Sequence, residues 1–252
     1  MTLRIGIAGI RGRMGREIAA LAASDPGITL VGGLGRQRGD DPLVLTDPAE
    51  LLPDIDVLVD FTSPEAAVAN AEACSALGTP LVSGTTGLDA AQAAALRDAA
   101  ASVAVFQAAN MSPGVNAMLA VLPSLVRALA GYDIEIVEAH HRHKVDAPSG
   151  TALALARAAA DASGGPLDQR ARHGRKGAAL RAAGEIGIHA VRAGGNPGEH
   201  AVILTGDGEE IRLSHRSFSR ASYAEGALKA ARLIVRQPPG WYEPATLPGF
   251  LT

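Results

Sequence analysis

The segment from Glu138 to Thr151 holds the densest cluster of titratable side chains in the chain, with the sequence EAHHRHKVDAPSGT. Within it, His140 belongs to the one residue type that titrates near neutral pH, so it can donate or accept a proton. Lys144 supplies a fixed positive charge four residues later. Together these residue types predict proton transfer on a small anionic substrate.

The end of the same segment has the pattern of a helix start. Pro148 ends one element, and Ser149 can cap the helix that follows. The first amides of that helix, at Gly150 and Thr151, have no partner within the helix and can therefore bind an anion such as a carboxylate. If the preceding strand continued through the segment, His140 and Lys144 would lie on one face.

Two other interpretations of the segment stay open at this point. Three of the seven histidines fall within four residues, His140, His141 and His143, which is compatible with a metal site. No nearby cysteine or second set of ligands at regular spacing completes such a site, so we expect no metal. The segment could also be a solvated polar loop without a chemical role.

A second motif lies near the N-terminus, where the apolar run Arg4–Ala8 leads into GIRGRMG at residues 9–15 and then into a helical pattern. Glycine at position 9 permits a tight turn, glycine at 12 lets a pyrophosphate approach the backbone, and glycine at 15 permits close packing of the helix. This context predicts a dinucleotide-binding loop; the alternative is a structural turn.

The residue after the second strand bears on cofactor preference, because a carboxylate there usually binds the adenosine ribose of NAD. The sequence here is Leu34, Gly35, Arg36, without a carboxylate. Arg36, together with Arg38, could bind a 2′-phosphate instead, although both could equally belong to a solvated loop. We therefore expect NADPH to be used at least as well as NADH.

The elements that must position these motifs follow a βα rhythm over the first hundred residues. Short apolar strands are predicted at 3–8, 29–34, 57–61, 80–83 and 103–108, separated by alanine-rich helical segments that include 64–77 and 89–100. Continuously apolar strands are typical of a parallel sheet covered on both faces. Turns that contain Phe61, Thr85 and Asn110 follow successive strands, where ligands bind in such sheets.

The pattern changes after Asn110, where a second unit begins. We predict helices at about 115–130 and 151–162, an alternating strand at 132–140, a mobile loop at 163–184 and strands at 186–191, 200–205 and 210–215. An antiparallel or mixed sheet fits this order. A last helix is predicted at 222–236, followed by an irregular tail at 237–252.

Composition excludes several other classes of protein. The net charge is −3 and no run of lysine or arginine forms a stripe, so we expect no nucleic-acid partner. No apolar run is long enough to span a membrane and no signal-peptide pattern is present, so we expect no membrane partner. With Cys74 as the single cysteine, these features predict a cytoplasmic protein.

Taken together, the motifs EAHHRHKVDAPSGTA, GIRGRMG, DFTSPE, GTTG and NMSPGVN closely resemble the 4-hydroxy-tetrahydrodipicolinate reductase family of bacterial lysine biosynthesis, over nearly the whole chain. The resemblance implies an α/β fold: a Rossmann-like, doubly wound parallel sheet plus a central α+β domain with an open mixed sheet. It assigns residues 1–110 and 220–252 to dinucleotide binding, and residues 111–219 to substrate binding and formation of a homotetramer.

The resemblance also implies an activity and its residues. The reaction is the NADPH- or NADH-dependent reduction of 4-hydroxy-tetrahydrodipicolinate, a small dicarboxylate, to tetrahydrodipicolinate with loss of water. His140 corresponds to the acid/base and Lys144 to a proton donor, while His141, Gly150 and Thr151 would hold the substrate's carboxylates. The predicted cap Ser149 completes the set of substrate-binding candidates. With the loop residues predicted above, the cofactor-binding candidates are Gly9, Ile10, Arg11, Gly12, Arg13, Met14, Arg36, Phe61, Gly84, Thr85, Thr86, Ala108, Ala109, Asn110 and Met111.

Two alternatives to this activity remain. Another small-molecule dehydrogenase would keep the fold and the cofactor. A non-catalytic nicotinamide sensor would bind the cofactor without using the histidine cluster.

Overall fold

A computed structural model describes residues 2–38 and 40–251. The predicted N-terminal domain also includes Met1, Gly39 and Thr252, which lie outside the described residues. The helices are α1 (Arg13–Ser24), α2 (Pro48–Leu51), α3 (Pro64–Leu77), α4 (Ala90–Ala99), α5 (Pro113–Ala128), α6 (Gly150–Ala162) and α7 (Ala221–Ile234). The strands are β1 (Leu3–Ala8), β2 (Ile28–Leu34), β3 (Val44–Leu45), β4 (Val57–Asp60), β5 (Leu81–Ser83), β6 (Ala104–Gln107), β7 (Asp133–His140), β8 (Ala171–His173), β9 (Ile186–Arg192), β10 (Glu199–Thr205), β11 (Glu210–Arg216) and β12 (Gly240–Tyr242).

The chain divides into two compact units. Unit 1 comprises the described residues of Met1–Pro113 and Arg220–Thr252, and unit 2 comprises Gly114–Ser219. The role of each unit stays a prediction.

Unit 1 is built on a seven-stranded parallel sheet with the order β12-β6-β5-β4-β1-β2-β3. Helices cover both faces, because one buried cluster joins Ile18 of α1 and Ala227 of α7 to the sheet, and another joins Ala71 of α3 and Leu96 of α4 to it. Strands buried on both sides must be apolar throughout, which explains their continuous apolar runs. The predicted doubly wound parallel sheet is confirmed.

Unit 2 contains a five-stranded mixed sheet with the order β11-β10-β7-β9-β8. β10 is antiparallel to β7 and β11, whereas β9 is parallel to β7 and β8. Helices α5 and α6 pack on one face of this sheet through Leu122 and Leu155. Every second residue of β7 is therefore buried, as strand geometry requires when only one face is covered by helices. The open mixed sheet is also confirmed.

Two predictions for the irregular segments are wrong. Residues 163–184 were expected to form a loop, but they include the short strand β8, which pairs with β9. The tail was expected to be irregular, but β12 extends the first sheet beside β6, and Phe250 packs against Phe106 with ring centroids 5.1 Å apart. Both strands have only three residues, and their partners stabilise them from a distance in sequence. No helix among the described residues is long and apolar enough to cross a membrane.

Candidate active site

Backbone hydrogen bonds in unit 1 align the loops that follow four adjacent strands. The amide of Phe61 donates to Ala8 O at 3.1 Å, that of Gly84 to Asp60 O at 2.8 Å, and that of Ala108 to Ser83 O at 3.1 Å. The predicted turns after β1, β4, β5 and β6 therefore form one row at the carboxyl edge of the sheet. Ligands bind at this edge in doubly wound sheets.

The glycines of the first loop are required by its geometry. Gly9 has φ +78°, in the left-handed region that disfavours a side chain. A Cβ on Gly15 would lie 2.2 Å from Gly9 O, and one on Gly12 would lie 3.0 Å from the same oxygen. Gly12 caps α1 without a side-chain bond, so the first amides of a 12-residue helix have no side-chain cap. This cradle fits the pyrophosphate of a dinucleotide.

A buried carboxylate connects two of the other loops. Asp60 accepts hydrogen bonds from the hydroxyl of Thr62 at 2.6 Å and from that of Thr85 at 3.4 Å. Thr85 in turn accepts from the amide of Thr62 at 3.1 Å. Burial is the main influence on Asp60 and raises the pKa of its carboxyl above the ordinary value. Sequence analysis placed Asp60 in the motif DFTSPE but did not include it among the candidate site residues.

The remaining cofactor candidates of unit 1 occupy the same row of loops. A Cβ on Gly84 would lie 2.2 Å from the ring of Phe61, so these two residues pack directly. Ala108 and Met111 are buried, whereas Thr86 and Ala109 are exposed. Asn110 accepts the amide of Ser112 through its side chain at 2.8 Å and so shapes the last loop.

The arginines near the end of β2 have different surroundings. Arg11 donates to the backbone oxygens of Gln37 at 3.0 Å and Arg38 at 2.6 Å, so it holds the loop after β2. Arg38 forms an ion pair with Glu50 at 2.6 Å. Arg36 lies in the same loop with an exposed side chain. Of the two arginines predicted to bind a 2′-phosphate, Arg38 is already paired with a carboxylate.

In unit 2, β7 brings Glu138 and His140 to the buried face of the mixed sheet. Oε2 of Glu138 lies 2.6 Å from Nδ1 of His140 and 2.8 Å from a guanidinium nitrogen of Arg192. Oε1 accepts from the second guanidinium nitrogen of Arg192 at 2.7 Å and from the amide of Ser149 at 3.0 Å. One carboxylate thus joins a strand, its neighbour β9 and the start of α6.

The pKa values of this pair follow from burial and from these contacts. Burial alone raises the pKa of Glu138, but the hydrogen bonds from Arg192, His140 and Ser149 outweigh it, so the pKa lies below the ordinary value. Burial is the largest influence on the pKa of His140 and lowers it, Glu138 raises it, and the charges of Lys144 and Arg192 lower it, so the pKa lies below the ordinary value. The site therefore favours an ionised carboxylate beside a neutral histidine.

The chain turns after His140, so the extended continuation considered for the segment does not occur. Lys144 donates its amide to His141 O at 3.1 Å, and its ammonium group lies 2.8 Å from the carboxylate of Asp146. Arg192 donates to Asp146 O at 2.7 Å and so attaches this loop to β9. Lys144 is one-fifth exposed and Asp146 more than half exposed, so a substrate anion can compete with Asp146 for the ammonium group.

Ser149 caps α6, as the sequence predicts, because its hydroxyl accepts the amide of Ala152 at 3.2 Å. The same hydroxyl lies 3.0 Å from Nε2 of His200 on β10. Burial is the main cause that lowers the pKa of His200, to about 4, with a further contribution from nearby His140. His200 is therefore a neutral partner of the cap, and sequence analysis missed it because it lies 51 residues away.

The other candidates of the segment lie next to these residues. His141 is half-buried with its ring 6.3 Å from that of exposed His143. Gly150 is exposed and Thr151 half-buried, both in the first turn of α6. Among residues 2–38 and 40–251, no group of three or more histidine, cysteine, aspartate or glutamate side chains could hold a metal ion.

Comparisons with known proteins find similar proteins over nearly the whole chain. The family model described as dihydrodipicolinate reductase, N-terminus, matches residues 3–111, and the one described as dihydrodipicolinate reductase, C-terminus, matches residues 114–247. A 4-hydroxy-tetrahydrodipicolinate reductase from Thermomicrobium roseum is 50% identical, covering 95% of this chain and 97% of the relative. The reductase of the same name from Rubrobacter xylanophilus is 47% identical, covering 95% and 96%.

Two solved structures are also similar to this chain. Dipicolinate-bound dihydrodipicolinate reductase from Paenisporosarcina sp. TG-14 is similar with a TM-score of 0.77 and 25% sequence identity, covering 96% of this chain and 98% of that one. A diaminopimelate dehydrogenase from C. glutamicum is similar at a TM-score of 0.59 and 18% identity, covering 100% and 96%, which shows a shared fold.

Proposed function

This chain belongs to the dihydrodipicolinate reductase family, and we propose that His140 and Lys144 handle the protons of the family's reaction. The protein catalyses the reduction of 4-hydroxy-tetrahydrodipicolinate to tetrahydrodipicolinate with loss of water, in the diaminopimelate route to lysine. It uses NADH or NADPH. We assign cofactor binding to unit 1 and substrate binding to unit 2.

The cofactor, when bound, supplies a hydride from C4 of its dihydronicotinamide ring. Each hydride delivered to the substrate ring must be matched by one proton. The carboxyl-edge loops of unit 1 would hold the cofactor: Gly9 to Met14 would bind the pyrophosphate, and Phe61, Gly84 to Thr86 and Ala108 to Met111 would bind the rest. Arg36 is the arginine of the β2 loop available for a 2′-phosphate, since Arg38 is paired with Glu50.

The observation that carries the proposal is the position of His140 relative to the start of α6. Glu138 contacts both Nδ1 of His140 and the amide of Ser149, so the acid/base and the anion-binding turn are two hydrogen bonds apart. The substrate is a small dicarboxylate. The amides of Gly150 and Thr151, the positive end of the α6 dipole and the ammonium group of Lys144 would bind its carboxylates, with His141 and Ser149 beside them.

This arrangement explains how the residues divide the chemistry. Anion contacts orient the substrate ring, and orientation of this kind lowers a barrier by several kcal/mol. His140, which is neutral in the free protein, can take up a proton at Nε2 and release it, because no hydrogen bond within the described residues engages that atom. Lys144 donates a proton once the substrate has displaced Asp146.

The decisive experiment compares cofactor oxidation by the wild type and by Lys144→Ala, with substrate generated by condensing pyruvate and aspartate semialdehyde. We expect kcat/KM to fall about 100-fold or more, the lower range for a proton-transfer group. Lys176→Ala, in an exposed loop of unit 2, is the matched control and should retain full activity.

The outcomes separate the alternatives. Near wild-type turnover by Lys144→Ala would remove Lys144 from the mechanism. Cofactor binding without any oxidation would indicate a sensor, and oxidation with other substrates alone would indicate a different dehydrogenase. Parallel assays with NADH and NADPH give the preference between the two cofactors.

We also propose a cytoplasmic homotetramer, as the family resemblance implies. The mixed sheet of unit 2 has a second face that α5 and α6 do not cover, where Val137, Ala201 and Ile203 are half-buried. An open sheet face with apolar residues is suited to pairing with the same face of another copy. Light scattering would test this by giving a molar mass about four times that of the 25.7 kDa chain.

A further inference from the structure

Glu138 contacts both His140 and the start of α6 from a fully buried position. Its side chain has no exposed surface. Oε2 lies 2.6 Å from Nδ1 of His140, and Oε1 accepts the amide of Ser149 at 3.0 Å. Both oxygens also accept from Arg192, at 2.8 and 2.7 Å. A side chain in this position determines how the acid/base and the start of α6 are placed relative to each other.

The hydrogen-bond inventory fixes the protonation state of the pair. Glu138 accepts two hydrogen bonds from Arg192 and one from the amide of Ser149, and its remaining contact is with Nδ1 of His140. The guanidinium group of Arg192 and the amide of Ser149 help to hold the pKa of Glu138 below the ordinary value, so the carboxylate is ionised and can only accept at this contact. Nδ1 of His140 must therefore carry the hydrogen, which leaves the lone pair of the neutral ring on Nε2.

We propose that Glu138 is a positioning residue that holds His140 as the Nδ1–H tautomer and aligns it with the anion-binding turn at Ser149. The inference rests on the proposed function, in which Nε2 of His140 exchanges a proton with the substrate. Arg192 has a supporting part: its two hydrogen bonds keep the carboxylate ionised and orient both oxygens. Without Glu138 the ring can adopt either tautomer and can rotate.

A second glutamate–histidine pair, whose glutamate also lies on β7, provides an internal control. We call Glu138–His140 the inner pair and Glu135–His189 the outer pair. Nε2 of His189 lies 2.7 Å from Glu135, but the two side chains are 34% and 26% exposed, and they lie on the opposite face of the sheet. The outer pair has similar contact geometry without any contact to the proposed site.

The test is Glu138→Gln, which keeps the shape of the side chain and removes its charge. We expect kcat to fall about 100-fold, the lower range of what an acid/base group contributes, with an unchanged KM for the cofactor. Glu135→Gln is the matched control and should keep kcat. Melting temperature and molar mass, measured on both variants, identify any loss of folding or assembly.

The pH profile separates positioning from simple structural support. The charged and titratable groups facing His140 are Glu138, Lys144, Arg192 and His200. Of these, Glu138 raises the pKa of His140, whereas the cationic groups lower it. Removal of its charge should therefore move the limb of the kcat profile on which His140 titrates to lower pH. A purely structural residue would lower kcat without moving this limb.

The outcomes distinguish the positioning role from the proposed function. If His140→Gln retains wild-type activity, the proposed function is wrong at His140. If His140→Gln is inactive but Glu138→Gln keeps the wild-type kcat and pH limb, only the positioning role is overturned.

A measurement on the wild type keeps the proposal testable even if Glu138→Gln does not fold. Long-range proton–nitrogen NMR spectra of histidine-labelled protein report the tautomer of each neutral ring, and the signals missing from His140→Gln identify residue 140. We expect the Nδ1–H tautomer for His140. Observation of the Nε2–H tautomer would overturn the proposal.

Discussion

Strand β7 carries one glutamate of each pair, and the two pairs differ far more in surroundings than in contact geometry. The nitrogen–oxygen distances are 2.6 Å in the inner pair and 2.7 Å in the outer pair. Glu138 is fully buried and bonded to a single arginine, whereas Glu135 is one-quarter exposed and lies beside both Arg175 and Arg181. Burial, and not the nitrogen–oxygen distance, therefore determines in which pair the glutamate can set the protonation of its histidine.

The face of the sheet is the origin of this difference. Side chains alternate along a strand, so Glu138 and His140 lie beneath the helices while Glu135 lies on the uncovered face. A charge under the helices has lost its water and depends on its protein partners. Within a single chain, a charge on the uncovered face keeps part of its hydration and has alternative partners.

The largest expected difference concerns the arginine partners. Arg192→Ala leaves the carboxylate of Glu138 buried without its cation, and breaking a buried ion pair costs about 3–5 kcal/mol of unfolding free energy. Arg175→Ala should cost less than this, since Glu135 keeps Arg181, and Glu185, the other carboxylate beside Arg175, keeps the hydrogen bond from the amide of Ala182. Urea unfolding at one protein concentration measures both. Equal losses would show that burial does not separate the two pairs.

The partners of the inner pair also show what could be predicted from the sequence. The glycine loop was predicted with its residues, because Gly9, Gly12 and Gly15 act within seven positions and their geometry is local. Arg192 and His200 could not be predicted, since they reach Glu138 and Ser149 across 54 and 51 residues through the pairing of strands. That pairing depends on the whole sheet.

Glu138 itself lay within reach of sequence reasoning. The strand ending at His140 was predicted to alternate, and alternation puts residue 138 on the same face as residue 140. A histidine that transfers protons needs a partner that orients its ring, and residue 138 is the nearest acidic residue on that face. Likewise, β8 and β12 are three-residue strands that only their neighbours stabilise, so their own sequences carry little signal.

A smaller effect is expected for the stability of the fold at acidic pH. We attribute it to His200, on the face of the sheet that the helices cover. Burial lowers the pKa of His200 to about 4, below the value of about 6.5 of an unfolded histidine. Between these values the unfolded state binds a proton that the folded state does not, so stability falls as the pH falls from about 6.5 to about 4. The shift corresponds to about 3 kcal/mol at full extent.

His200→Gln tests this assignment, because glutamine does not titrate. As the pH falls from neutral to about 4, the wild type should lose about 3 kcal/mol more unfolding free energy than the variant does. The remaining acid sensitivity would come from groups such as His215, whose pKa burial also lowers. An equal difference between the wild type and His189→Gln would contradict the assignment to His200.

The smallest expected effect is the coupling energy within the outer pair itself. A double-mutant cycle with Glu135→Gln and His189→Gln should give less than about 1 kcal/mol, as for other partly exposed polar pairs. The coupling should weaken further at high salt, because ions screen charges that water can reach.

The same cycle on the inner pair, with Glu138→Gln and His140→Gln, should give a larger energy that salt hardly changes, since Glu138 has no exposed surface. If both cycles gave the same energy and the same salt dependence, the two pairs would be equivalent. Burial of Glu138 would then not explain why His140, and not His189, takes part in proton transfer.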